Sequence, residues 1–323
     1  MEARDVVPLA HTVRSGADES VHHGALVALA ADGSIAFAAG NPDAIVFPRS
    51  SMKPLQATAM VRAGLRLPPR LLALVCASHD GRPEHLAAAR EILAGAGLDE
   101  AALANTPDHP LDDGEAHRAI AAGIARSSLQ MNCSGKHAGM LATCAARGWA
   151  TDASYLSPDH PLQRTITDAL PELAGAPAAH VAVDGCGAPA HALPLVALAR
   201  GVRAVATARE GAGREVADAM RAHPEMVGGP TRDVTLLMQG IPGAVAKDGA
   251  EGVFVAALPD GRAVALKVAD GANRARPPLM RAALVALGVD VSRVAPAAWA
   301  SPVMGHGAPV GEVRVTAALG PGR

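Results

Sequence analysis

Ser50 and Lys53 place a hydroxyl and an amine three residues apart, within Phe47-Pro48-Arg49-Ser50-Ser51-Met52-Lys53-Pro54-Leu55-Gln56 and just ahead of an apolar run. On a helix, positions i and i+3 share a face, so the Lys53 amine can reach the Ser50 oxygen. A serine alcohol is a weak nucleophile at neutral pH and needs a base beside it. A lysine kept neutral by burial or by a cationic neighbour can be that base. If Ser50 opens the helix, the partial positive charge there also favours a developing oxyanion. The same spacing suits a capping serine followed by a surface lysine, so the pattern is weak by itself. Ser51 lies only two residues from Lys53 and faces elsewhere on a helix.

Three further clusters carry chemistry. The apolar run 71–77 delivers Ser78-His79-Asp80-Gly81, which reads as a site-lining loop or as a capping turn. Neighbours on a chain point apart, so these side chains cannot form a hydrolase triad among themselves. Met131-Asn132-Cys133-Ser134-Gly135-Lys136-His137 crowds cysteine, lysine and histidine at the start of a helix, where a thiolate is stabilised. Asp184-Gly185-Cys186-Gly187 sets a second thiol in a Gly-rich turn. Two separated thiols in polar turns fit half a metal site, without the paired spacing of a zinc knuckle. Glu19-Ser20-Val21-His22-His23-Gly24 reads as a polar strand leaving an active site, with Glu19 and His22 toward substrate, or as a solvated strand.

The elements that must position these groups follow from hydrophobic periodicity. Residues 24–39 alternate about Asp32-Gly33, a hairpin signal. The Ser50 segment starts a helix ending near Gly64, and Pro83-Glu84 starts another ending about Gly95. Residues 101–126 are loop-rich, a lid or plain surface. A helix runs to Arg147, a strand covers 180–183, and 194–239 reads as helices punctuated by His223-Pro224-Glu225-Met226-Val227-Gly228-Gly229. Strands 253–258 and 263–268 then turn at Pro259-Asp260-Gly261, a helix covers about 278–287, and a strand at 310–317 closes the chain.

Strands therefore stand at both ends, about 6–48 and 240–323, with a helical region at about 50–239 between them. This predicts an α+β (αβα sandwich) fold with one antiparallel sheet built from both chain ends, as a single unit over 1–323. An early Ser-x-x-Lys and a late Lys247-Asp248-Gly249 echo the serine-β-lactamase architecture, where two such motifs face each other across a cleft.

Of the 323 residues half are apolar but only 2% aromatic, so Ala, Val and Leu must fill the core. A net charge of −2 without a basic block argues against nucleic acid as a partner. The start Met1-Glu2-Ala3-Arg4-Asp5 lacks the form of a signal peptide, and no apolar run reaches membrane-spanning length. The expectation is a soluble cytoplasmic protein with no membrane partner, whose four cysteines are thiols rather than disulfides.

Six runs together resemble the L-asparaginase II family of the rhizobial thermolabile type. They are Arg49-Ser50-Ser51-Met52-Lys53-Pro54, Cys76-Ala77-Ser78-His79, Asn132-Cys133-Ser134-Gly135-Lys136-His137, Asp184-Gly185-Cys186, His223-Pro224-Glu225-Met226-Val227 and Lys247-Asp248-Gly249-Ala250. The resemblance runs from about Glu19 to Glu312, and Asn-Cys-Ser-Gly-Lys-His is its most specific part. It implies a homodimeric hydrolase on a serine-β-lactamase-like fold, converting L-asparagine and water to aspartate and ammonia. It implies two serine–lysine tandems, Ser50 with Lys53 and Ser78 with Lys247, and a zinc ion held by Cys133, Lys136 and Cys186. It further places Asp184 and His137 behind those ligands or against substrate; Arg49 could then fork onto the substrate carboxylate or form a surface ion pair.

The chain departs from the rhizobial pattern twice. It lacks a cysteine beside the arginine in Thr231-Arg232-Asp233-Val234-Thr235, and its loop Asp80-Gly81-Arg82-Pro83-Glu84 differs. Two alternatives to an asparaginase are a serine hydrolase for another amide, such as glutamine or a lactam, and a zinc- or amino-acid-binding protein without turnover. The latter predicts a missing catalytic position, yet Ser50, Lys53, Ser78 and Lys247 are all present.

Overall fold

The computed structural model describes residues 1–316. The chain opens with β1 (Val7–Arg14), β2 (Ala17–Leu29) and β3 (Ile35–Ala39), and a short β4 (Ile45–Val46). Gly33, in the left-handed region at φ 89°, makes the turn between β2 and β3. A 3-10 turn, Arg49–Met52, leads into α1 (Lys53–Arg62), followed by α2 (Pro69–Val75), α3 (Pro83–Gly95), α4 (Asp113–Ala121) and α5 (Ser134–Arg147). Next come α6 (Pro161–Asp168), α7 (Leu170–Ala174), the hairpin β5 (His180–Val183) and β6 (Pro189–Pro194), and α8 (Leu195–Thr207). α9 (Gly211–Ala222), α10 (Pro224–Gly228) and α11 (Asp233–Gly240) end the helical region. The last part is β7 (Val245–Gly249), β8 (Val253–Ala257), β9 (Ala263–Val268), α12 (Arg276–Ala286), β10 (Pro302–Gly305) and β11 (Ala308–Val315).

The main sheet is antiparallel in the order β10-β11-β1-β2-β9-β8-β7, with β3 also paired to β2. Both chain ends thus build one sheet, and the helical region is inserted between them. Every residue of β7, β8 and β9 is buried, so both faces of that half are covered. α8 and α12 each pack on β8 and β9. The result is helix, sheet, helix, with a core of short side chains in which Phe254 and Tyr155 are the fully buried aromatics.

Differences from the expected elements are small and physical. The helix after Ser50 begins only at Lys53, because Arg49 sits at φ 54° and the chain tightens into a 3-10 turn. The apolar run 71–77 falls mostly in α2, which ends at Val75 with Cys76 closing it, an element type that periodicity alone cannot assign in so short a run. Within 101–126 lies α4, capped by Asp112 accepting from the Glu115 N–H. β5 and β6, inside the helical region, form a small second sheet with β4, which precedes that region. The final strand ends at Val315, and position 317 of the expected strand lies outside the described residues.

The outer edge of β7 is covered by the 49–52 turn. Ser51 is fully buried there and donates from Oγ to the Lys247 carbonyl at 3.3 Å. A Cβ at Gly249 would stand 2.4 Å from the Pro48 carbonyl oxygen and 2.9 Å from Ser51 Oγ, so only glycine lets strand and turn touch. The same holds for α5 on α2, where a Cβ at Gly135 would meet the Leu74 carbonyl oxygen at 2.5 Å. These two contacts bring the Ser50, Ser78, Cys133 and Lys247 segments together. Gly249→Ala should therefore cost about 1–3 kcal/mol by overpacking, read as a lower urea midpoint. Wild-type stability in that variant would show that the turn does not rest on the strand.

Candidate active site

Lys53, at the first position of α1, is 1% exposed, and its amine turns inward. It donates to the Ala77 carbonyl, to Ser78 Oγ at 3.3 Å and to Cys133 Sγ at 3.1 Å. No hydrogen bond to Ser50 accompanies these, so the amine reaches Ser78 rather than the hydroxyl three residues before it. The physical reason is burial: an ammonium withdrawn from water must find acceptors, and the end of α2 supplies them. Ser50 is half-buried and lines a narrow pocket with Arg49, Lys53, Lys136, Asp184 and His191.

Ser78 follows α2, where Cys76 closes the helix and the chain turns. Its own N–H donates to the Val227 carbonyl at 3.0 Å, fixing it against α10. Lys247, in the middle of β7, donates to Ser78 Oγ at 3.0 Å, to its neighbour Asp248 Oδ1 at 2.5 Å and to the Asp248 carbonyl at 2.9 Å. One hydroxyl is thus bracketed by two buried lysine amines. Burial pushes Lys247 down to about 8; Asp248 opposes the shift and Lys53 adds to it. An amine with that value is available as a base in mildly alkaline water.

Asn132 and Cys133 lead into α5, whose end is marked by Gly148 in the left-handed conformation. Cys133 Sγ donates to Asn132 Oδ1 at 3.2 Å and its thiol is electrostatically coupled to Cys186, while Lys136 Nζ lies 3.1 Å from Cys186 Sγ. Cys133, Lys136 and Cys186 are nearly inaccessible. The two thiols titrate as a pair. The Cys186 contact and the flanking amines pull Cys133 well below the ordinary thiol, while the second proton, on Cys186, is pushed up. Burial works against the charge on Lys136, but the facing thiolates outweigh it and raise the amine. Burial pushes Cys76 and Cys144 each up to about 12, on Cys76 against the opposing pull of Lys247 and Lys53, so both stay protonated thiols.

Two sulfurs and one nitrogen converging in a buried spot are a donor set that fits zinc, provided Lys136 gives up its proton to the metal. Among the described residues no three His, Cys, Asp or Glu side chains form such a group, so the lysine is needed.

The remaining expected residues divide. Asp184 accepts at Oδ1 from Arg49 Nε at 2.7 Å and from the Gly185 N–H at 2.7 Å. Burial raises its carboxyl, but Lys136 and Arg49 outweigh burial and hold it below the usual range. His137 is fully buried and pairs through Nδ1 with the Tyr155 hydroxyl at 2.8 Å. Burial drives its imidazole far down, so it stays neutral. Glu19 and His22 are not brought into the cluster. Glu19 accepts from Arg14 at 2.8 Å on the exposed part of β2, and His22 contacts Thr12 at 3.1 Å and Arg274 at 3.0 Å. The β2–β1 pairing commits both to the sheet and its neighbours instead.

Sequence reasoning missed three groups. Arg232 and Arg276 both approach Asp248 Oδ2, Arg276 at 3.4 Å; Arg232 lies in the segment 231–235 already noted, but nothing in the sequence around either points to Asp248. Tyr155 carried a signal, being the single tyrosine of an aromatic-poor chain. It joins His137 to the Ala104 N–H, which donates to its oxygen at 3.2 Å. A larger groove of about 810 Å³, between α12 and the β10–β11 hairpin, contains none of the expected site residues.

No curated protein matches the chain. Among solved structures, a beta-lactamase from Mycobacterium bovis is similar at 15% identity, with 82% of this chain and 94% of that one covered and a TM-score of 0.44. Mglu in its native form is similar at 14% identity, over 76% of this chain and 59% of that one, with a TM-score of 0.41. The family model described as L-asparaginase II matches residues 10–315. That match spans nearly the whole chain and takes in the Ser50, Ser78, Cys133, Cys186 and Lys247 segments alike: the chain belongs to the L-asparaginase II family.

Proposed function

We propose that this protein is an L-asparaginase that hydrolyses the side-chain amide of L-asparagine to L-aspartate and ammonia through an acyl-enzyme. Family membership supports the substrate class. The observation that carries the mechanism is the continuous polar chain Lys53–Ser78–Lys247 beside a pocket lined by Ser50.

In this reading Arg49 and Asp184, paired across the pocket, separate to take the carboxylate and ammonium of the free amino acid. The Ser50 oxygen attacks the amide carbon once the Lys53 amine comes within reach of it, and the Ser50 proton passes to that amine as Lys53 hands one of its own to Ser78. Ser78 passes a proton onward to Lys247, so the charge does not stay beside the reacting carbon. Backbone N–H groups at the start of the helical turn are the available donors for the oxyanion, a preorganised term that can be worth about 3–4 kcal/mol. The C–N bond breaks as the leaving nitrogen is protonated from the same relay, and ammonia departs. Water then attacks the acyl-enzyme with the lysines acting again as bases, releasing aspartate and restoring the serine.

Cys133, Lys136 and Cys186 would hold zinc next to this pocket, whose lining includes Lys136. When bound, zinc would supply a Lewis acid that orients a substrate oxygen. The protein's own part there is to keep two sulfurs and an amine buried and aligned, with the Lys53 amine against Cys133.

Ammonia release from asparagine is the direct test, with glutamine and a chromogenic β-lactam as competing substrates. Wild type should favour asparagine, and Ser50→Ala should lower the rate by about 10³-fold or more. Because the neutral form of Lys247 is the active one, kcat/KM should rise with pH through about 8. No ammonia from folded wild type at saturating asparagine would end this reading.

Zinc binding is tested separately by calorimetry. One equivalent should bind with proton release, and Cys186→Ala should abolish it. Undiminished binding in that variant would remove Cys186 from the ligand set.

A further inference from the structure

Asp248 is shared between two kinds of cation. Its Oδ1 and its carbonyl take hydrogen bonds from Lys247, while its Oδ2 faces two guanidinium groups. Arg232, just before α11, donates to Oδ2. Arg276, opening α12, lies 3.4 Å from it and is anchored by the Gly249 and Val253 carbonyls at 3.0 and 3.3 Å. Asp248 and Arg276 are each less than a tenth exposed, so their charges are poorly screened. A carboxylate with nothing behind it would hold Lys247 as an ammonium. Guanidinium groups behind it offset that charge and leave the amine freer to lose its proton.

We propose that Arg232 is a positioning residue for the reaction: by holding Asp248 from behind, it sets how readily Lys247 releases its proton to serve the Ser78 relay. The proposal rests on the amidohydrolase reading of the site. Arg232 is suited to this task because its guanidinium also lies 3.8 Å from Asp80, on the loop that carries Ser78. It therefore spans the two segments that Lys247 joins. Arg276, fixed by backbone carbonyls and 3.6 Å from Asp233, is instead part of the frame.

The charged and titratable groups around Lys247 come from every neighbouring element. Asp248 shares its strand, and Cys76 and Asp80 stand at and just beyond the end of α2. Lys53 lies on α1, Arg232 and Asp233 at the start of α11, and Arg276 on α12. Burial is the largest influence, Asp248 opposes it, and Lys53 and Arg232 act with it. Removing Arg232 should raise the Lys247 proton affinity; removing the Asp248 charge should lower it. Opposite signs from two residues in one contact are not what a loss of packing produces.

The chain has only four lysines, Lys53, Lys136, Lys247 and Lys267, so ε-¹³C-lysine NMR can follow Lys247 directly, assigned by its absence in Lys247→Arg. In Arg232→Gln the Lys247 midpoint should rise by about one pH unit, in Asp248→Asn it should fall, and Arg232→Lys should return most of the shift. The alkaline-rising limb of ammonia release should move with it in Arg232→Gln. The titration needs no substrate, so a wild type without turnover counts against the asparaginase reading alone. An unmoved Lys247 in folded Arg232→Gln overturns the proposal. If that variant does not fold, an unmoved or raised midpoint in Asp248→Asn overturns it instead.

Discussion

Two lysine amines are taken out of water on either side of one serine hydroxyl, and the surrounding structure is what makes that tolerable. An unpaired buried ammonium would cost several kcal/mol. Lys53 and Lys247 avoid that by donating to carbonyls, a carboxylate, a thiol and the Ser78 oxygen. The same burial that has to be offset is what lowers the proton affinity of Lys247. Stability and chemistry are thus set by one arrangement: enough acceptors to keep the amines inside, too little compensation to keep Lys247 firmly charged.

The fold delivers this by bringing together ends of elements far apart in sequence. Lys247 comes from the edge strand β7, Lys53 from the first turn of α1, and Ser78 from the end of α2. Cys133 comes from the cap of α5. Covering the edge of β7 with the 49–52 turn solves two problems at once. It hides strand groups that would otherwise invite pairing with another chain, and it sets Ser51 against the Lys247 carbonyl and Lys53 across Ser78 from the Lys247 amine. Glycine at 249 and 135 is required because backbone approaches backbone at both contacts.

Much was legible beforehand. The hairpins about Asp32-Gly33 and Pro259-Asp260-Gly261, the helices at 83–95 and 134–147, and the sheet built from both chain ends follow from local periodicity, turn chemistry and caps. The short apolar run 71–77 was not legible as a helix. Of the candidate site, Ser50, Lys53, Ser78, Lys247, Cys133, Lys136, Cys186, Arg49 and Asp184 cluster at or next to one pocket. Glu19 and His22 are in a polar stretch of β2, and polarity along a strand does not say which neighbour it faces.

By itself the sequence determined the residue types, their order and the elements that carry them, since helix starts, turns and strand alternation are local properties of the chain. Which amine meets which hydroxyl was decided only in three dimensions. Lys53 is three residues from Ser50 yet bonds Ser78, because a buried cation goes where acceptors are, and those lie on α2 and α5. The arginine pair behind Asp248 is likewise invisible in one dimension. Arg232 and Arg276 stand 16 and 28 residues from it and meet it only when α11 and α12 close over the end of β7.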